Sequence, residues 1–170
     1  MDLKGKIRDV QDFPRKGVLF RDITPLLLDP AAFRYVIDLL TETYRKKGID
    51  VIVAAEARGF ILGAPLAYNL GVGFVPVRKR AKLPSAVISA EYELEYGVDT
   101  LHMHEDAIQP GQKVLIIDDL LATGGTVAAK AELVKQLGGE VVGMAFLIEL
   151  TALNGRDKLQ GYEVMSILQF

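Results

Sequence analysis

Apolar and polar positions along this chain fall into blocks whose period changes from helical to extended and back. Residues 30–46 place Phe33, Val36, Ile37, Leu40 and Tyr44 at helical spacing, with Asp29-Pro30 as cap and first turn. Val51-Ile52-Val53-Ala54-Ala55 is apolar throughout, which predicts a strand buried on both faces. Arg58 to Leu70 predicts a helix despite Pro65, ending at Gly71. Phe74 to Val77 predicts a short strand, and Pro76 argues for an edge or a strand end. Val114 to Ile117 is a second unbroken apolar run, followed by a helix over about 125–137 that Gly138-Gly139 closes. Val141 to Ile148 predicts another strand and Val164 to Leu168 a weak final one. The alternation predicts an α/β domain, a mostly parallel central sheet with right-handed crossovers and helices on both faces. Residues 80–104 break the pattern. They are polar, lack a steady period, and read as a long functional or mobile loop.

Composition narrows the class. The 170 residues, half of them hydrophobic, suit one compact domain with a full core. A net charge of −2 gives no general attraction to nucleic acid or acidic membranes. There is no cysteine, which excludes disulfides and thiolate metal sites. No apolar run reaches membrane-spanning length, and Met1-Asp2-Leu3-Lys4 begins no signal peptide, so a cytoplasmic protein is expected.

The chemistry concentrates at residues 114–126. Asp118 and Asp119 follow the apolar run at its C-terminal end, where ligands of open α/β sheets bind. Ala122-Thr123-Gly124-Gly125-Thr126 then leads into the next helix. The glycines let the main chain approach an anion, Thr123 and Thr126 add hydroxyl donors, and the helix start adds the positive end of its dipole. This pattern predicts a phosphate cup. Two carboxylates would repel a triphosphate but suit a vicinal diol, so a sugar carrying a 5′-phosphate fits both halves. No G-x-x-x-x-G-K-[ST] motif occurs, and Gly71-Val72-Gly73-Phe74-Val75-Pro76 lacks the third glycine of a dinucleotide fingerprint.

Two further segments add charge. Glu56-Ala57-Arg58-Gly59-Phe60 follows a buried strand, and Arg58 is able to grip a phosphate by paired N–H bonds; alone, Glu-x-Arg is more often a local ion pair. Arg78-Lys79-Arg80-Ala81-Lys82 is a solvated basic loop or a counter-charge for a phosphorylated ligand. His102-x-His104 puts two imidazoles on one strand face, but no third ligand has suitable spacing, and no metal site is assigned.

Residues 114–126 resemble the 5-phosphoribosyl-1-pyrophosphate (PRPP) motif of the type I phosphoribosyltransferases. Within that family the chain is similar to the adenine-specific enzymes over nearly its whole length, in four segments. The resemblance implies a single domain over 1–170 with the type I phosphoribosyltransferase fold: a small N-terminal hood (about 1–28) covering the base site, and a core (about 29–170). It implies transfer of 5-phosphoribosyl from PRPP to adenine, giving AMP and pyrophosphate in purine salvage, with Mg2+ carried on PRPP or pyrophosphate. It assigns Asp118 and Asp119 to the ribose diol, and Ala122, Thr123, Gly124, Gly125 and Thr126 to the phosphate loop. Glu56, Ala57 and Arg58 would form the pyrophosphate site, with a cis peptide before Ala57 and with Lys79 and Lys82 supplying counter-charge. Leu94-Glu95-Tyr96-Gly97 looks like the mobile catalytic loop, with Glu95 contacting purine N7 and Tyr96 beside it. In Phe13-Pro14-x-x-Gly17-Val18-Leu19-Phe20-Arg21-Asp22, backbone groups of Leu19 and Arg21 would meet the adenine edge while Phe20 stacks on the ring. Hypoxanthine-guanine enzymes place an aspartate at Ala122, so alanine disfavours a 6-oxopurine. Xanthine phosphoribosyltransferases and a PRPP-sensing regulator are the rivals. Family members are typically homodimers acting on small molecules, without nucleic acid or membrane partners.

Overall fold

Polar residues and two turn formers, Pro14 and Gly17, separate Arg8–Gln11 (β1) from Leu19–Asp22 (β2), and the two strands pair antiparallel with Asp9 opposite Arg21. The Asp22 carboxylate then accepts from the Thr24 N–H at 2.9 Å and from its hydroxyl at 2.8 Å, ordering the start of Thr24–Leu28 (α1). Asp29 caps Pro30–Tyr44 (α2): its Oδ1 accepts from the N–H groups of Ala31 and Ala32 at 3.0 and 3.1 Å. Val36, Ile37, Leu40 and Tyr44 are buried, as their spacing predicts. This computed structural model describes residues 1–93 and 97–170. The chain forms two compact units, Met1–Glu42 and Thr43–Phe170.

The second unit is built on seven strands. Val51–Ala55 (β3) leads into Arg58–Leu70 (α3), which carries Pro65 and ends at Gly71. Gly73–Lys79 (β4), Val87–Glu93 (β5) and Val98–His104 (β6) follow. Lys113–Leu121 (β7), Gly125–Gln136 (α4), Glu140–Glu149 (β8) and Val164–Gln169 (β9) complete the unit. The sheet order is β5-β6-β4-β3-β7-β8-β9, parallel from β4 to β9 and antiparallel where β5 and β6 join.

The central strands are covered on both faces. Val51 and Val53 of β3, with Val114 and Ile116 of β7, share one core with Val127, Leu133 and Val134 of α4. The alternate residues Ala54 and Ile117 approach α3, where a Cβ at Gly63 would stand 3.1 Å from each. An uninterrupted apolar run is the sequence of such a strand, since neither face meets water.

Two expectations need correction. Residues 80–104 are not a long loop: β5 and β6 form a hairpin in register from Val87 opposite His104 to Glu93 opposite Val98. Only Ala90 on β5 and Leu101 and Met103 on β6 are buried, so the alternation is short, and its outward positions are polar apart from Val87 and Val98. The strand beginning at Val114 also does not stop at Ile117. It runs to Leu121, carrying the acidic pair inside it.

Candidate functional site

The acidic pair lies where two strands part. β3 pairs with β7 only from Val114 to Ile117, whereas β8 stays paired to β7 as far as Leu121. Beyond Ile117 one edge of β7 is therefore open, and side chains from both faces reach the same crevice. That crevice is a cleft of about 460 Å³ lined by Ala55, Glu56, Ala57, Arg58, Asp118, Asp119, Leu120, Ala122 and Thr126. Its size suits a small-molecule ligand.

Adjacent strand residues point to opposite faces, and the partners of the two acids follow that rule. Asp118 Oδ2 pairs with Lys130 Nζ of α4 at 2.5 Å, and its Oδ1 accepts from the Asp119 N–H at 3.0 Å. Asp119 Oδ2 pairs with Arg58 Nε, at the start of α3, at 2.5 Å. Burial, with the Asp118 charge beside it, pushes the Asp119 carboxyl up to about 6 despite the opposing Arg58 charge. Gly59 admits the helix here: a Cβ there would stand 2.9 Å from Asp118 Oδ1.

The turn after β3 gathers the basic segment. The Glu56–Ala57 peptide is cis. Glu56 Oε2 accepts from Arg78 Nη2 at 3.0 Å and from Lys82 Nζ at 3.3 Å, and Oε1 accepts from the Lys79 N–H at 3.0 Å. Burial opposes ionisation, but these donors together hold the Glu56 carboxyl below its ordinary value. Glu56 and Arg58 thus pair with different partners, one with the basic segment and the other with Asp119. The Lys79 ammonium instead pairs with Asp99 of β6 at 2.8 Å.

The glycine loop is fixed from behind by the segment after β8. Gly124 has φ +81°, and a Cβ on it would stand 2.4 Å from the Gly155 carbonyl oxygen. A Cβ on Gly155 would in turn lie 2.2 Å from the Ala122 carbonyl oxygen. The segment carrying Gly155 is held by Arg156, whose guanidinium binds both oxygens of Glu149 at 2.7 Å and donates to the Val164 carbonyl at 3.0 Å. Thr123 is exposed. The Tyr92 hydroxyl donates to Asp99 Oδ2 at 3.1 Å. Gly125 lines a neighbouring cleft of about 290 Å³ together with Tyr92, Glu93 and Lys158.

Leu19, Phe20 and Arg21 all lie on β2. The Phe20 ring is half-buried and packs edge-on against Phe13 at 5.1 Å, and the Arg21 guanidinium pairs with Asp9. Val18 O accepts from the Phe13 N–H across the hairpin, so by alternation the main-chain groups of Leu19 and Arg21 turn outward, away from β1. Glu95 and Tyr96 lie outside the described residues. His102 and His104 share a face of β6, and no cluster of three metal-ligating side chains occurs among the described residues.

Lys130 was passed over in the sequence, although a signal was present. Val127, Lys130, Ala131 and Val134 occupy one helical stripe, so a lysine stands where the period calls for an apolar side chain. It is fully buried.

A parallel sheet parted at an acidic pair, with a Thr-Gly-Gly-Thr loop beside it, is the architecture of a phosphoribosyl transferase domain, and the model of that family matches residues 24–168. The chain is 58% identical over 170 residues to adenine phosphoribosyltransferase of Clostridium tetani (strain Massachusetts / E88), covering all of this chain and 99% of that one. Among solved structures, adenine phosphoribosyltransferase from Thermoanaerobacter pseudethanolicus aligns with a TM-score of 0.97 at 56% identity, over 99% of this chain and 98% of that one. The Saccharomyces cerevisiae enzyme, complexed with an imino-altritol 1,6-bisphosphate and adenine, aligns with a TM-score of 0.92 at 43% identity, over 98% and 97%. The chain belongs to the phosphoribosyl transferase family, on its adenine phosphoribosyltransferase branch.

Proposed function

We propose that this protein transfers the 5-phosphoribosyl group of PRPP to adenine, giving AMP and pyrophosphate in purine salvage. The observation that carries this reading is the cleft where β3 leaves β7, which brings Asp118, Asp119, Ala122, Thr126, Glu56, Ala57 and Arg58 together. In this reading Asp118 and Asp119 accept hydrogen bonds from the two ribose hydroxyls. The loop from Ala122 to Thr126 holds the 5′-phosphate on main-chain N–H groups at the start of α4. Arg58, with Glu56 and Ala57, faces the pyrophosphate, while Lys79 and Lys82 offset its charge. Cleavage at ribose C1 passes through an oxocarbenium-like state, so the chain's work is to align the two substrates and stabilise charge on the departing pyrophosphate.

Adenine recognition falls to β2 and to residue 95. The outward-turned main-chain groups of Leu19 and Arg21 match a base whose N6 donates and whose N1 accepts, and Phe20 offers a ring for stacking. Ala122 offers nothing to N7, which leaves that contact and the proton leaving N9 to Glu95, with Tyr96 beside it.

Magnesium fits as a partner of the substrate. Asp118 and Asp119 supply hard oxygen donors, but each already holds a cationic side chain, so the ion would be held chiefly by pyrophosphate oxygens. When bound, it offsets negative charge on the leaving group.

A homodimer in the cytoplasm completes the proposal. Ile61 and Tyr68, seven residues apart on α3, are 38% and 87% exposed, an apolar face that suits a second copy. No helix among the described residues is long and apolar enough to cross a membrane.

The test is a turnover assay with PRPP and adenine, hypoxanthine, guanine or xanthine in turn. AMP formation far faster than any other nucleotide is expected. Equal turnover of xanthine would leave only the phosphoribosyl transfer standing, and no turnover with PRPP binding intact would favour a regulator.

A further inference from the structure

Lysine is almost never fully buried unless it is paired, because removing an ammonium from water is costly. Lys130 is fully buried in α4, and its partner is Asp118 at 2.5 Å. The pair therefore includes one of the two acids that the proposed function assigns to the ribose. Those two acids are neighbours in one strand, and each would resist the charge of the other. Arg58 answers Asp119 from α3, and Lys130 answers Asp118 from α4.

We propose that Lys130 is a positioning residue for ribose binding: its ammonium clamps the Asp118 carboxylate so that both acids of the pair accept hydroxyls of one ribose at once. This rests on the reading of the cleft as a phosphoribosyl site. With Oδ2 held by Lys130 and Oδ1 by the Asp119 N–H, the Asp118 carboxylate is fixed in one orientation while each oxygen keeps a second lone pair for the ligand. Among the described residues, Lys130 from α4 and Arg58 from α3 contact the pair, and Glu56 lines the same cleft from the turn after β3. Asp119 already holds its proton more tightly than an ordinary carboxyl, partly because of the Asp118 charge. Without the ammonium the pair would take up its first proton at a higher pH.

Two measurements test this. In the wild-type protein labelled with 15N-lysine, the Lys130 Nζ resonance, identified by its loss in Lys130→Arg, should shift on saturation with ribose 5-phosphate and move much less with 2-deoxyribose 5-phosphate. A resonance unmoved by saturating ribose 5-phosphate overturns the proposal. In steady-state kinetics, Lys130→Met should raise KM for PRPP by roughly tenfold to a hundredfold, the scale of one charge-assisted hydrogen bond. It should also move the acidic limb of kcat/KM for PRPP to higher pH, with KM for adenine unchanged. Lys130→Arg should restore much of the loss. An unshifted acidic limb, or equal losses for adenine and PRPP, refutes the positioning role in an enzyme that still makes AMP. A wild-type protein that makes no AMP yet shows the ribose-dependent shift would refute the transfer reaction instead.

Discussion

Replacing Asp119 with asparagine should make the protein more stable at neutral pH, at the expense of its ligand. The folded carboxyl titrates at about 6 against an ordinary 3.8, because it is buried beside Asp118. That gap of roughly 2 units, at 1.36 kcal/mol each, sets an upper limit of about 3 kcal/mol. The sign follows from proton counting. Between the two values the folded protein keeps a proton that the unfolded chain has released, so stability falls as pH rises through this window. Above about pH 6 the full penalty is present. Below about pH 4 it is absent. Asp119→Asn cannot ionise, so it should gain stability at pH 7 and gain little at pH 4. Arg58 loses its contact with this carboxylate, but its side chain is 46% exposed and water takes the place of the carboxylate. Urea denaturation of both proteins at pH 4, 5, 6 and 7 measures the difference, and thermal melting should show a rise approaching about 6–12 °C at pH 7. An asparagine variant less stable than wild type at pH 7, or a gap that does not shrink toward pH 4, would refute the reasoning. PRPP binding should weaken in the same variant.

Gly124→Ala, forced against the Gly155 carbonyl at 2.4 Å with φ +81°, should lower melting temperature and AMP affinity together. Gly125→Ala would meet the Glu93 carbonyl at 3.4 Å and Tyr92 and Lys158 at 3.9 and 4.0 Å, ordinary contact distances, and should melt like wild type; calorimetry then reads the loop's contribution to AMP binding without a folding defect. Glu149→Gln removes a charge that binds Arg156 through both oxygens, which should cost about 1–3 kcal/mol in denaturation at pH 7. The Arg156 guanidinium pulls the Glu149 carboxyl down to about 2, so this stabilisation is complete above about pH 4.5 and lost as pH falls toward 2, and the variant should lack that acid sensitivity. Glu95→Gln should lower kcat far more than it raises KM for PRPP, while Glu93→Gln stays close to wild type; equal losses would reduce residue 95 to part of a lid.

The sequence disclosed those parts of the fold where one physical demand dominates. Val51 to Ala55 and Val114 to Ile117 are apolar because both faces are covered, and Asp29-Pro30 marks a helix start because orphan N–H groups need an acceptor. The 87–104 hairpin stayed hidden because its buried side contributes few residues, and the rest of its pattern is mostly polar. Strand β7 reads as shorter than it is, since the ladder to β8 continues past Ile117 through Asp118 to Leu121 on main-chain groups that carry no side-chain signature. The acidic pair and the glycine loop were legible as local motifs. Their partners were not. Lys130, Gly155 and Arg156 lie 12, 37 and 38 residues beyond Asp118, and only the folded sheet brings the last two to the loop.

The reciprocal fit of Gly124 and Gly155 also limits how this loop can vary. Each glycine occupies space bounded most closely by a main-chain oxygen, that of Gly155 for Gly124 and that of Ala122 for Gly155, which no second side-chain substitution could trim. Paired replacements should therefore compound the damage rather than relieve it. Any library built to alter phosphate-loop chemistry has to hold both glycines constant and place its diversity at Thr123, whose exposed side chain belongs to the loop proposed to hold the 5′-phosphate. Mutational tolerance within this short loop is thus a matter of single positions, with an exposed position next to a locked one.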